Sequence, residues 1–155
     1  MMYKSIFTFF IIFITSSCGF SVVKNYERDF NFLEINTSGD KRINYIIKNK
    51  LKVNSDKNKS KDIIINIESS KNKIVKEKNI ENEITKYEIT INVDIIFEII
   101  DNGSKEQFLL NKTSDYQVEN QHTQTLNNEK KIIRNLSESI ADDILNEITR
   151  RINDL

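Results

Sequence analysis

The side chains that could do chemistry in this chain are few and far apart. His122 is the sole histidine, in the polar run VENQHTQT, with no Cys or Asp at metal-ligand spacing, so a solvated loop residue is expected there and not a metal ligand. Asp142 and Asp143 come nearest to a carboxylate pair. Neighbouring helix positions point about 100° apart, however, so these two are expected on a solvated face. No glycine-rich phosphate loop occurs among the three glycines. The sequence offers no nucleophile with a base and no cofactor site, and the chain is expected not to be an enzyme. One charged run stands out: Lys71, Lys73, Lys76 and Lys78 in SKNKIVKEKN, with Glu77 as their only offset. Ammonium groups on a loop suit anionic phosphates. The competing reading is a solvated basic loop in a lysine-rich chain.

The single cysteine has the most specific setting. Lys4 precedes an apolar run from Ile6 to Ile14, which Thr15, Ser16 and Ser17 follow, giving the three zones of a secretory signal peptide. The run is too short for a membrane span, which needs about 20 apolar residues. Cys18 lies where cleavage is expected and has no second cysteine to pair with. The pattern resembles a bacterial lipobox, with Thr15 where Leu is usual: residues 1–17 are removed and Cys18 carries covalent lipid, which more than one acyl chain makes a stable anchor. Gly19 at the next position, by analogy with such lipoproteins, suggests the outer membrane.

What remains is one domain at most: a tether, 18–28, and a folded part, 29–155. Losing Lys4 takes one residue from 23 basic ones and none from 23 acidic ones, so overall charge does not point to nucleic acid. No proline and three glycines argue against a Pro-rich spacer or a loop-built enzyme.

The elements follow from periodicity. DFNFLEIN, with Phe30, Phe32 and Leu33, reads as a strand. In SGDKRINYIIKNKLKVN, Ser38 is placed as N-cap and Asp40 in the first turn of a helix whose Ile43, Ile46, Ile47 and Leu51 share a face. DIIINIES is a strand apolar enough to be covered on both sides at its centre. YEITINVDIIFEII alternates strictly, and Asn102-Gly103 suits a two-residue type I′ turn pairing Phe97 with Phe108, Ile95 with Leu110 and Ile89 with Tyr116. From Leu126 onward, Ile132, Leu136, Ile140, Ile144, Ile148 and Ile152 recur every four residues as the stripe of a long helix. The fold class is α+β, with two helices on a small mixed or antiparallel four-stranded sheet.

The lipobox followed by Gly19-Phe20, the element order, and the run TSDYQVENQHTQTLNNEKKIIRNLSESIADDILNEI over residues 113–148 together resemble the lipopolysaccharide-assembly lipoprotein family LptE. Ser114 and Tyr116 match the family's Ser-Tyr pattern in the last strand; Lys130, Lys131 and His122 depart from it, standing where relatives often have small or aromatic residues. The resemblance implies no catalysis. It implies an outer-membrane protein, lipid-anchored on the periplasmic side, that plugs and helps assemble the β-barrel LptD and contacts lipopolysaccharide, with Lys71, Lys73, Lys76 and Lys78 as candidate contacts. A one-domain scaffold with a polar exterior suits a wide, water-lined barrel lumen. Two rivals are a stand-alone periplasmic lipid-binding lipoprotein, which needs a closed apolar pocket, and an envelope hydrolase, which needs a convergent site.

Overall fold

The computed structural model describes residues 28–53 and 59–154. Six elements run in the order β1 (Phe30–Gly39), α1 (Lys41–Val53), β2 (Lys61–Lys78), β3 (Ile84–Ile99), β4 (Ser104–Gln117) and α2 (His122–Asp154). The strands lie in sequence order in one mixed sheet. β1 and β2 are parallel, which requires the crossover that α1 makes, and the other two pairs are antiparallel hairpins. Both helices share a single hydrophobic core with one face of the sheet. This is the α+β layer expected from the element order.

Period-two patterning decides what that core contains. Ile89, Ile91, Val93, Ile95, Phe97 and Ile99 of β3 are buried, and the residues between them are half-exposed. Ile63, Ile65 and Ile67 of β2 are buried on the same face. The expectation that β2 is covered on both sides fails: Asn66 and Glu68 are exposed and Ile64 is only half-buried, because no described helix packs on the second face. In β1 a bulge between Phe32 and Glu34 restores Ile35 to the core face and turns Leu33 outward, 61% exposed.

The β1–α1 junction corrects the expected cap. Asp40 is the N-cap, its Oδ1 accepting the N–H groups of Arg42 and Ile43 at 2.9 and 3.1 Å. Ser38 is still in the strand, and its carbonyl accepts from the Asn44 side chain at 2.8 Å. Gly39 between them has φ +93°, and a Cβ there would lie 1.9 Å from the Ser69 carbonyl oxygen. Only glycine fits that approach. Ile43, Ile47 and Leu51 then face the core as expected.

The β3–β4 turn is longer than the two-residue loop. Ile99 pairs with Ser104, so residues 100–103 form the connection, and Ile95 faces Phe108 while Tyr87 faces Tyr116. Gly103 has φ +66°, but Asn102 has no positive φ, and a type I′ turn needs both. Asn102 instead accepts the Ser104 N–H through its side chain at 2.9 Å. The register moves by two residues, which keeps every side chain on its expected face.

α2 begins at His122, upstream of the expected start at Leu126. Thr125, buried, accepts the Glu119 N–H through its hydroxyl at 2.9 Å and so satisfies the approach to the helix. Leu136, Ile140, Ile144, Ile148 and Ile152 are buried as the four-residue stripe requires. The leader, Cys18 and most of the tether lie outside the described residues.

Candidate functional site on the lysine arm

The run of lysines is strand, not loop. β2 continues past its last buried residue, Ser69, to Lys78 while staying paired with β3, Lys71 opposite Ile91 and Lys73 opposite Ile89. The link between β2 and β3 is only residues 79–83. Lysine and asparagine are poor strand formers, which hid this extension. β3 supplies the partner that holds it.

Strand geometry divides the four lysines between faces. Lys71 and Lys73 both lie on the helix side, where Lys73 enters a cluster with β3, β4 and α2. Its Nζ lies 2.7 Å from Glu129 Oε2 and 4.1 Å from the centre of the Tyr87 ring. The Tyr116 hydroxyl donates to the same Glu129 oxygen at 2.7 Å, and the two tyrosine rings stack with centroids 5.7 Å apart. Burial opposes the charge on Lys73, yet the bonds to Glu129 and Tyr116 outweigh it and hold the ammonium above its ordinary range. Burial likewise opposes the Glu129 carboxylate, but Lys73 and then Tyr116 keep it below the ordinary value. Burial, reinforced by Glu129, pushes the Tyr116 phenol up.

Lys76 projects to the opposite face, 3.0 Å from Glu88 and 3.4 Å from Asp115. Lys78 donates to the neutral Asn82 side chain at 3.0 Å. Lys71 is exposed and has no hydrogen bond or ion pair among the described residues. The four side chains therefore do not form one positive patch. Tyr87, Tyr116 and Glu129, which hold Lys73, had no sequence signal as a group, because three elements bring them together.

The remaining chemistry-bearing residues are structural. Asp142 pairs with Lys50 of α1 at 2.6 Å and Asp143 with Lys112 of β4 at 2.7 Å, so the adjacent carboxylates strap α2 to two different neighbours. They are paired where a solvated face was expected. His122 is exposed in the first turn of α2, not in a linker. Among the described residues no group of three or more His, Cys, Asp or Glu side chains could hold a metal ion. None of their helices is long and apolar enough to cross a membrane.

The family model for lipopolysaccharide-assembly LptE proteins matches residues 36–148, from β1 through most of α2. The chain belongs to the LptE family. That membership ties it to lipopolysaccharide assembly, and the matched span includes the lysine arm but not Cys18. Solved structures repeat the LptE fold seen here. Rare lipoprotein B from Shewanella oneidensis superimposes with a TM-score of 0.61 at 12% identity, covering 78% of this chain and 97% of that one. Lipoprotein B from Nitrosomonas europaea gives 0.57 at 11%, covering 87% and 93%. A lipoprotein from Caulobacter crescentus gives 0.54 at 13%, covering 77% and 90%. Identities this low carry the fold and not the side chains. No curated protein sequence matches the chain.

Proposed function

We propose that this LptE-family chain is an outer-membrane lipoprotein, anchored through lipid on Cys18, that occupies the lumen of an LptD-like β-barrel and helps it assemble. The family match over residues 36–148 carries this reading. The fold is compatible with it: one sheet face is sealed by helices, and the other, mostly polar, is left uncovered by the described helices, as suits a body surrounded by a water-lined barrel wall. A stand-alone lipid carrier is less well supported, because Ile43, Ile47, Ile140, Ile144 and Phe97 fill the space between sheet and helices where its pocket would have to lie. No catalytic role is assigned. Copurification from detergent-solubilised outer membranes tests the partnership: recovery of a large barrel supports it, and bound lipid without a barrel favours the carrier. For the anchor, fatty-acid labelling of Cys18→Ala should be lost.

Lipopolysaccharide contact through Lys71, Lys73, Lys76 and Lys78 is part of the same proposal, and the four are not equivalent. Phosphates would compete with Glu129 for Lys73 and with Glu88 and Asp115 for Lys76. Among the described residues, Lys71 and Lys78 have no carboxylate to displace. Lys71→Gln with Lys78→Gln should therefore weaken lipopolysaccharide binding at low salt more than Lys73→Gln with Lys76→Gln. Unchanged binding in the fourfold Gln variant would remove the lysines from the reading.

A further inference from the structure

Neither described helix covers the sheet face opposite the core, and its charges are arranged in bands. Near the tip of the arm, Glu88 and Asp115 share Lys76. The middle of the face is uncharged: Ser70, Asn92 and Asn111 lie in one row across the sheet, with Asn72, Thr90 and Thr113 in the next. Over the covered half the balance is acidic. Glu34, Glu68, Asp94 and Glu98 point to this face, and none has a cationic partner among the described residues. Asp94 is held only by the neutral amide of Gln107, at 2.9 and 3.0 Å. Lys105, in register with Glu98, brings a cation to this half.

Two details show that the patch suits an external partner. Glu68 and Asp94 are directly opposite across β2 and β3, an arrangement of like charges that costs stability unless a cation reaches it. The same pair lines a shallow cleft of about 260 Å³ with Asn36, Ser38, Asn66 and Ile96. Beside it, Leu109 is 61% exposed and Ile64 is half-buried, leaving an apolar seam among the acids. A large exposed Leu in an acidic surround matches the usual make-up of a contact surface, an apolar centre with a polar rim.

We infer that this face docks against a protein surface that carries arginine or lysine side chains around a small apolar strip. The inference rests on the barrel-plug reading and deepens it: the barrel wall opposite this face is basic, and lipopolysaccharide phosphates are excluded from it. Charge rules out the other occupants. A second copy of the chain would set the same carboxylates against each other, and an anionic lipid surface would be repelled. The cleft also lacks the three ligating side chains that a metal ion would need.

The test is recovery of the LptD-like barrel, identified by mass spectrometry, with the tagged full-length acylated chain from detergent-solubilised outer membranes. Glu68→Lys, Asp94→Lys and Glu98→Lys together should lower recovery about tenfold or more, since like charges across an interface cost several kcal/mol. Glu138→Lys, on the exposed side of α2, should leave it unchanged. Far-ultraviolet circular dichroism and thermal melts check that each variant folds. Should the triple Lys variant not fold, the near-isosteric Glu68→Gln, Asp94→Asn and Glu98→Gln variant decides: its recovery should be lower than that of the unmodified chain and less sensitive to salt. Equal recovery with a folded reversal variant, or with the neutral variant at every salt concentration, overturns the docking face while the plug reading stands. Failure of the unmodified chain to recover any barrel overturns both.

Discussion

The sheet has two halves built from the same strands and held by different forces. Under the helices, β2 and β3 present an unbroken row of buried Ile, Val and Phe, and the backbone ladder is sealed by α1 and α2. Beyond Ser69 the same ladder continues as an arm whose β2 residues are all exposed. There the apolar core gives way to Lys73 between Tyr87, Tyr116 and Glu129, and to Lys76 between Glu88 and Asp115. Continuous hydrogen bonding therefore does not mean uniform stability. The covered half draws on apolar burial, the dominant folding term, and the arm on half-exposed ion pairs and ring contacts worth far less.

The largest expected effect tests the covered half. Ile140→Ala should cost about 2–5 kcal/mol by denaturant unfolding, as cavity-forming core truncations do, whereas Glu138→Ala on the exposed side of α2 should stay within about 0.5 kcal/mol. Equal effects would erase the distinction between buried stripe and outer face. Next comes the turn that closes the covered half. A Cβ at Gly103 meets no atom within 4 Å, so the main cost of Gly103→Val should be the backbone strain of φ +66°, about 1–2 kcal/mol. A melting temperature identical to that of the unmodified chain would show that this turn does not hold β3 to β4.

Breaking the arm should be a smaller and local event. Glu129→Gln removes the charge partner of Lys73 and should lower global stability by no more than about 1 kcal/mol. Amide exchange should accelerate over residues 84–88 and 113–117 while the amides of Val93, Ile95 and Phe97 keep their protection. Acceleration spread evenly along β3 would mean that the arm and the covered half open as one unit. The smallest effect is acid-linked. Glu147, bonded to Arg150 and Arg151 near the end of α2, is held down to about 2 from its ordinary 4.5, with Arg150 the larger cause. A depressed carboxylate contributes stability that is complete above its unfolded value and is lost as pH falls toward the folded one. Melting temperatures of the unmodified chain should thus fall between about pH 4.5 and 2 more steeply than those of Glu147→Gln. Glu129, also depressed, should lose its contribution within the acid range below 4.5.

The candidate sites were legible only where a residue's neighbours in sequence were also its neighbours in space. The charge of Lys71, Lys73, Lys76 and Lys78 was visible, but a strand sends alternate side chains to opposite faces, and that separates Lys73 from Lys76. One signal for the longer strand was present: β3 alternates from Tyr87 to Ile99, and a strand of that length needs neighbours as long. The acidic face had no comparable signal, since Glu34, Glu68, Asp94 and Glu98 come from three strands and meet only through register.

The amino-acid sequence by itself determined the element order, the core face of β3, the stripe of α2 and the α+β class, because each depends on a local period of apolar residues that water enforces wherever the element packs. Tertiary structure alone decided the Asp40 cap over Ser38, the bulge that exposes Leu33, the two-residue shift in the β3–β4 pairing, and the uncovered second face of β2. Each of these turns on which backbone groups meet across the fold and on which side the helices settle, and the side-chain period, equal for registers two residues apart, carries no information about that choice.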